Sequence, residues 1–241
     1  MKNVLLTTTL YEKNFRQVLT PGNWFFRSES DYFIDRVFIV NNVNSREEFD
    51  ILQKKFQHLA KFVWSDLIWK ESLSKFNSEM SQNEIGYWYS IQHFCSLYHA
   101  IENKVDYVFS VGSDCTMSNF NMDDFIEDSI KILKEDKSVL LTTIPWCEGN
   151  FTPAGENEQD YHDIKKRSDK FYFSHCVSDQ VFFSSPQKIL DQRVDFNILK
   201  DLHPFPGYGG NSFEKRFCNY LITSCSYRAV YKKHHYIHKS F

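Results

Sequence analysis

The feature that most constrains the fold is an alternation of short apolar runs with longer amphipathic stretches over residues 1–145. The apolar runs read NVLLTTTL, RVFIVNNV, KFVWS, VDYVFSV and SVLLTTIPW. Such continuous apolar runs are typical of strands that are buried on both faces of a sheet. Their alternation with helices favours an α/β fold, with a largely parallel central sheet and helices on both faces.

The stretches between these runs carry helix signals. SREEFDILQKKFQHL opens with Ser45 and Glu48, which have the spacing of a capping box. NMDDFIEDSIKILKEDK predicts an amphipathic helix. Another helix is predicted over about residues 85–102, where the apolar side chains share one face: Tyr87, Ile91, Phe94, Tyr98 and Ile101. His93 and His99 belong to this helix and are interpreted as structural residues.

The pattern changes at residue 147. A polar stretch that contains Gly and Pro continues to about residue 170, and a connection of this length is typical of a functional loop. FYFSHCVSDQVFFSS predicts two short strands around a break at Ser178 and Asp179, and a short helix is predicted to begin at Pro186. NSFEKRFCNYLIT then predicts a helix, and YRAVYKKHHYIH predicts a strand-like tail.

Size and charge limit the class of protein. A chain of 241 residues with 42% hydrophobic and 17% aromatic residues is expected to form a single domain around one core. A net charge of −3, spread along the chain, argues against a nucleic-acid partner. No apolar run approaches the roughly 20 residues that cross a bilayer, and the first residues lack the features of a signal peptide. A cytoplasmic location is expected, with peripheral membrane contact as the alternative.

The cysteines form neither a CxxC pair nor a regular spacing, so the sequence indicates neither a zinc site nor a disulfide framework. Free thiols are therefore expected at all six positions: Cys95, Cys115, Cys147, Cys176, Cys218 and Cys225.

One carboxylate follows a predicted buried strand. VDYVFSV ends at Val111, and Asp114 comes after a turn through Gly112 and Ser113. Ligands of open α/β sheets bind at the carboxyl ends of the strands. A carboxylate at this edge is suited to a hard divalent cation, Mg²⁺ or Mn²⁺, that neutralises nucleotide phosphates. The alternative is that Asp114 caps its own turn.

Four segments resemble the nucleotide-sugar glycosyltransferases of the GT-A fold: VLLTTTLYEK, VFIVNN, IGYWYSIQHFCSLYHAIE and VDYVFSVGSDC. The last strand of that family ends in a DxD-type motif, and here GSDC carries one acid. SDQVFFSSPQKI and GGNSFEKRFCNYL are similar to segments of bacterial surface-polysaccharide transferases, including the WavE lipopolysaccharide-synthesis group. The resemblance implies one GT-A-like domain, with a nucleotide-sugar-binding half at 1–118 and an acceptor-binding half with a C-terminal tail at 119–241.

The resemblance also suggests which residues meet the donor and the metal. The donor set comprises polar or aromatic residues near strand ends and one lysine of the tail: Thr7, Thr9, Tyr11, Asn41, Asn42, Ser113 and Lys239. The metal set is Asp114 with His238. Ordinary β-branched strand residues are the alternative for the threonines. A solvated basic terminus, or a patch for anionic lipid headgroups, is the alternative for the tail.

Transfer of a sugar with inversion needs a base that takes the proton of the acceptor hydroxyl. Glu214 is the predicted base, because it lies in the first turn of a predicted helix in the region where the resembled enzymes carry a catalytic acid residue. Its alternative role is to complement the helix dipole, with Asn211 or Ser212 as the N-cap. Asp179 is the competing candidate, and its alternative role is that of a turn residue.

Together these features predict a metal-assisted glycosyltransferase. The donor is expected to be a nucleotide sugar, UDP-linked, and the acceptor a saccharide or a lipid-linked glycan. Two alternatives stay open. One is a catalytically silent GT-A-like domain that binds a glycan or a partner protein. The single acid of GSDC supports this alternative. The other is a metal-dependent nucleotidyltransferase.

Overall fold

The computed structural model describes residues 3–11, 24–27, 29–41, 43, 45–84, 86–117, 121–145, 164–178, 180–200, 202, 212–233 and 236–238. The first part of the chain contains β1 (Val4–Tyr11), α1 (Trp24–Arg27), β2 (Phe33–Asn41), α2 (Arg46–Phe56), β3 (Lys61–Trp64), α3 (Ser65–Lys75), α4 (Tyr87–Glu102), β4 (Tyr107–Val111), β5 (Cys115–Met117), α5 (Met122–Glu135) and β6 (Val139–Thr143). The second part contains β7 (Lys166–Arg167), β8 (Phe171–Ser174), β9 (Val181–Ser184), α6 (Pro186–Asp191), α7 (Phe213–Thr223), β10 (Tyr227–Tyr231) and β11 (Tyr236–His238).

A nine-stranded sheet forms the centre, in the order β3-β2-β1-β4-β9-β6-β10-β8-β7. β1 pairs in parallel with both β2 and β4, and β6 pairs in parallel with β10. β9 lies between β4 and β6 and is antiparallel to both, and β8 is antiparallel to β10. The other strands share one direction, which confirms a largely parallel sheet. β5 and β11 form a separate two-stranded antiparallel ribbon.

Helices cover both faces of the sheet, as the sequence predicts. On one face, Phe49 of α2 and Phe125 of α5 join a buried cluster with side chains of the central strands. On the other face, Leu73 of α3, Ile91 of α4 and Phe217 of α7 belong to a second buried cluster. Because β1, β2 and β4 contribute to both clusters, their residues are apolar on both faces, and this is why these strands appear as continuous apolar runs.

The helix ends follow the predicted capping residues. The Ser45 hydroxyl accepts a hydrogen bond from the Glu48 backbone N–H at 3.3 Å at the start of α2. Ser212 is the N-cap of α7, and its hydroxyl accepts from the Lys215 backbone N–H at 3.4 Å. Pro186 opens α6. These side chains satisfy backbone donors that the first turn of a helix leaves unpaired.

Helix α3 was not predicted from the sequence. It follows β3 without an intervening loop, and its N-cap is Trp64, which makes no side-chain capping bond. Its buried side chains are Ser65, Ser72 and Leu73, so two of the three are polar. The Ser72 hydroxyl donates to the Ile68 carbonyl at 2.6 Å and is thereby satisfied within the helix. The sequence of α3 contains neither a capping residue nor a clear apolar stripe, which are the signals from which a helix is predicted.

The cysteines that the structure describes form no disulfide, as expected: Cys95, Cys115, Cys176 and Cys218 are buried, and Cys225 is exposed. Cys147 lies outside the described residues. Among the helices that the structure describes, none has the length and apolar character needed to span a bilayer.

Candidate active site

The strand order reverses between β1 and β4. From β1 the chain proceeds to β2 and β3 on one side, and β4 then pairs with the opposite side of β1. Such a switch point leaves a crevice at the carboxyl ends of the strands, where ligands of open α/β sheets bind. Here the Thr9 hydroxyl, near the end of β1, donates to the Ser113 hydroxyl, just after β4, at 3.5 Å. The structure therefore brings together two residues that the sequence assigns to the donor.

The three threonines of β1 have different surroundings, although all are buried. The Thr8 hydroxyl donates to the Val111 carbonyl at 2.7 Å and ties β1 to β4. Thr7 pairs in register with Ser110, deeper in the sheet than Thr9. Tyr11 is the last residue of β1 and pairs with Asn41. Thr9 and Tyr11 are thus closer to the edge than Thr7.

Asn41 ends β2 and is fully buried. Its amide nitrogen donates to the Trp88 carbonyl at 2.7 Å, and its amide oxygen accepts from the Ser65 hydroxyl at 3.4 Å. These bonds fasten the first turns of α3 and α4 to the carboxyl edge of the sheet. Asn41 therefore has a structural role at the place where the sequence predicts a nucleoside contact. Asn42, predicted to have the same role, lies outside the described residues.

The turn after β4 forms a small cradle around Gly112. Its N–H donates to the Gln180 carbonyl at 2.5 Å, which holds the start of β9 against this turn. A Cβ at this position would lie 2.6 Å from Gln180 Oε1, 2.9 Å from Asp114 Oδ1 and 3.3 Å from Cys115 Sγ. Two oxygen atoms and one sulfur atom therefore converge on the space that the glycine leaves. Neither Gln180 nor Cys115 is predicted from the sequence to be a site residue.

The C-terminal tail reaches the same turn. β11 pairs with β5 in antiparallel register, with His238 opposite Cys115 and Tyr236 opposite Met117. His238 thus occupies the register position beside the residue that follows Asp114. The sequence assigned Asp114 and His238 to one metal site, and the backbone places both positions at one end of the ribbon. Lys239, predicted to meet the diphosphate, lies outside the described residues.

The residues of this turn fit a divalent cation. Asp114 supplies a carboxylate and Gln180 an amide oxygen, and oxygen donors of these types suit hard cations that also bind substrate phosphates. Among the side chains that the structure describes, no three of the His, Cys, Asp and Glu type are grouped closely enough to hold a metal by themselves. A metal here would depend on neutral donors and on ligand phosphates in addition to Asp114.

Glu214 lies in the first turn of α7 and is 6% exposed. The start of α7 packs on the start of α4, because the Phe213 N–H donates to the Ser90 hydroxyl at 2.7 Å. The two helix starts are in close contact, because a Cβ added to Gly86, the N-cap of α4, would lie only 3.1 Å from Ser212 Cβ. Since Asn41 fixes the same end of α4 to the carboxyl edge, Glu214 also lies at this edge.

Aromatic packing connects this helix start with the turn that carries Asp114. Phe182 of β9 pairs in register with Ser110, four residues before Asp114. Its ring stacks on Phe213 at 5.8 Å between centroids and meets the His93 ring at 5.5 Å. Glu214 follows Phe213 directly, so its backbone is held on this side of the sheet. Asp179 lies outside the described residues, and its neighbour Gln180 contacts Gly112 at the same edge.

His93 is buried between these rings, in agreement with a structural role. Burial lowers the pKa of His93 to about 4, and the charge of Glu214 opposes this shift only in part. The folded protein therefore binds this proton less tightly than the unfolded chain, in which the pKa is near 6.5. The contribution of His93 to the free energy of unfolding is present above about pH 6.5 and falls as the pH drops towards about 4.

We expect His93→Leu to flatten this pH dependence. Between about pH 7 and about pH 4.5, the wild type is expected to lose about 2–3 kcal/mol more of its unfolding free energy than the variant loses. Urea unfolding at the two pH values measures the difference. His58→Leu is the matched control, because His58 is exposed and its replacement should leave the wild-type dependence unchanged. An equal pH dependence of stability in the wild type and His93→Leu would contradict the lowered pKa of His93.

Comparisons with known proteins define the fold. No family model and no curated protein matches the sequence. Among solved structures, the chain is similar to a crystal structure of GalNAc-T7 with UDP, GalNAc and Mn²⁺, with a TM-score of 0.54 and 11% sequence identity. The match covers 99% of this chain and 44% of the other, so the chain spans less than half of that protein's length. The mixed sheet, flanked by helices on both faces, is a GT-A-like fold.

Proposed function

We propose that this protein is a glycosyltransferase that transfers a sugar from a nucleotide sugar, UDP-linked, to a saccharide or lipid-linked glycan acceptor. The observation that carries the proposal is the position of Asp114 at the switch point of a GT-A-like sheet, next to Cys115, which pairs with His238 in the C-terminal ribbon. GalNAc-T7, which has a similar fold, was crystallised with UDP, GalNAc and Mn²⁺. That similarity supports the class of reaction.

The residues divide into a nucleoside side and a phosphate side. Near the ends of β1 and β2, Thr9, Tyr11 and Asn42 are proposed to hold the base and ribose, and the buried Thr7 and Asn41 to support this edge from within the sheet. Ser113 and Lys239 are proposed to meet the diphosphate. Asp114 and His238 would hold a divalent cation, Mn²⁺ or Mg²⁺. When bound, this cation neutralises charge that develops on the departing diphosphate.

Glu214 is proposed to accept the proton of the acceptor hydroxyl in an inverting transfer. Its place in a buried first turn supports this, because the packing of Phe213 and the Ser212 cap fix the backbone that carries the carboxylate. A rigidly held base keeps the distance to the attacking oxygen short. Asp179 is the alternative base, or a residue that positions acceptor hydroxyls, at the entry to β9. The acceptor-binding half would comprise residues 119–241 and the donor half residues 1–118.

The finer features of the proposal rest on the sequence motifs. A role in bacterial surface-polysaccharide or lipopolysaccharide synthesis follows from the similarity of SDQVFFSSPQKI and GGNSFEKRFCNYL to WavE-like transferases. A cytoplasmic enzyme that touches a membrane surface would fit a lipid-linked acceptor. The single acid of GSDC favours the competing proposal, a silent GT-A-like domain that binds a glycan or a partner protein.

A hydrolysis assay with a panel of nucleotide sugars tests the function. A glycosyltransferase of this kind is expected to release UDP slowly from one UDP-sugar without an acceptor, and only when a divalent cation is present. Ion chromatography of the released nucleotide is the measurement. Binding of UDP-sugars without release, even with an acceptor library, would favour the silent domain. Release of pyrophosphate from a nucleoside triphosphate would favour the nucleotidyltransferase.

A further inference from the structure

We propose that Cys115 and Gln180 complete the metal centre with Asp114, and that this centre prefers a thiophilic cation of the Zn²⁺ or Co²⁺ type over Mg²⁺ and Mn²⁺. The proposal builds on the proposed function in placing a metal beside Asp114. It adds a thiolate ligand that neither a DxD-type motif nor the cysteine spacing of the sequence indicates.

The distances between the donor atoms match those around one metal ion. Cys115 Sγ lies 3.8 Å from Asp114 Oδ1 and 3.3 Å from Gln180 Oε1. A sulfur at about 2.3 Å and an oxygen at about 2.1 Å from a tetrahedral zinc are roughly 3.6 Å apart. The two observed separations lie on either side of this value. Each of the two sulfur–oxygen separations would need to change by only a few tenths of an ångström to reach this value.

Gly112 leaves the space in which these atoms converge. The position of its missing Cβ is within 3.3 Å of all three donor atoms. A side chain at this residue would therefore displace the donors or an ion between them. The backbone itself does not call for glycine by a left-handed conformation, since among the described glycines only Gly86 has a positive φ. The close approach of these three atoms is thus the reason that the structure offers for glycine here.

His238 provides the position for a fourth ligand. Its place opposite Cys115 in the β5–β11 ribbon brings an imidazole-bearing residue to the register position nearest the thiol. Residues directly opposite in an antiparallel pair have Cβ atoms about 4.5–5.5 Å apart, so side chains from both positions can reach one ion. Asp, Cys and His with an amide oxygen form a mixed donor set.

This donor set decides which metal is preferred. Thiolate sulfur favours Zn²⁺ and other soft or borderline ions, whereas carboxylate and carbonyl oxygen suit Mg²⁺ and Mn²⁺. Cys115 is 1% exposed, so a metal–thiolate bond there would be shielded from water and oxidants. A DxD-type site with two carboxylates has no such sulfur. We therefore expect substitution of Cys115 to change metal selectivity, and substitution of Asp114 to weaken every metal.

Cobalt spectroscopy tests the sulfur ligand directly. The wild type titrated with Co²⁺ is expected to develop a near-ultraviolet thiolate-to-cobalt charge-transfer band that saturates at one equivalent, and Cys115→Ser should lack it. Cys225→Ser is the control, because that thiol is exposed and outside the site, and it should keep the band. In competition titrations, the Zn²⁺-to-Mn²⁺ affinity ratio should fall at least about tenfold in Cys115→Ser.

Gly112→Ala provides a second test that leaves the thiol in place. Its Cβ would crowd the ends of flexible side chains, so the fold should persist, as judged by circular dichroism, while Zn²⁺ affinity falls about tenfold or more. Bound Co²⁺ without the band, or an unchanged affinity ratio in a folded Cys115→Ser, would overturn the proposal. Unchanged Zn²⁺ affinity in Gly112→Ala would do the same. Manganese-dependent turnover without the cobalt charge-transfer band would reject the thiolate-containing metal centre and leave the proposed glycosyltransferase function standing. The band without any turnover would support the metal centre and count against the glycosyltransferase function.

Discussion

Replacing Asp114 with Ala is expected to abolish sugar transfer and the metal-assisted part of nucleotide binding. Asp114 is the carboxylate that the turn after β4 presents at the switch point, and its Oδ1 faces the cradle at Gly112. Without it, a cation at this turn would lose its charged ligand, and the diphosphate would lose the positive charge that stabilises its departure. Calorimetric titration of UDP without a metal and with Mn²⁺ or Zn²⁺, together with turnover, measures both effects.

The fold should survive this change. Asp114 is part of an edge turn, and neither apolar cluster of the core includes it. Asp191→Ala is a suitable control, because Asp191 is exposed at the end of α6, where it accepts a bond from Gln187, and its loss should leave metal-assisted binding intact. If neither Mn²⁺ nor Zn²⁺ strengthens UDP binding in the wild type, or if the cation strengthens it equally in Asp114→Ala, this role of Asp114 is wrong.

The elements that the sequence predicts well are those with local signals. β1, β2 and β4 are buried on both faces, so their apolar runs are continuous, and α2 begins at a serine with the expected cap. α3 has neither an apolar stripe nor a capping side chain, and its buried Ser65 donates a hydrogen bond to Asn41 of β2. Such a contact between separate elements leaves no periodic pattern in the sequence.

The residues of the candidate site also differ in whether the sequence carries a local signal for them. Asp114 was predicted because an isolated acid after a buried strand is visible in the sequence. Gln180 was not, since its position depends on β9 running antiparallel between β4 and β6. That direction puts the amino end of β9 at the carboxyl edge of its neighbours, where Gln180 meets Gly112. The run VFFSS predicts a strand, and it contains no information about which strands it will join or in which direction.

Glu214→Gln is expected to lower turnover by about 10² to 10⁴ while donor binding is retained. A general base acts on the acceptor hydroxyl, so its removal raises the barrier to transfer and leaves the contacts with the diphosphate unchanged. Glutamine keeps the size of the side chain in a position that is 6% exposed. Turnover under saturating substrates and UDP-sugar calorimetry give the two quantities. Glu135→Gln, an exposed glutamate at the end of α5, is the control and should behave as the wild type.

The result distinguishes a base from a helix-capping charge. If Glu214 only complements the dipole of α7, its replacement should cost about 0.3–1 kcal/mol of unfolding free energy and leave turnover unchanged. The Ser212 cap and the Phe213 packing are the same in both proteins, so a large loss of turnover with a small loss of stability would point to the carboxylate itself. Asp179→Asn completes the comparison. A residue that positions acceptor hydroxyls should raise the acceptor KM with a smaller loss of kcat. If Glu214→Gln keeps full turnover and Asp179→Asn loses it, the base is Asp179.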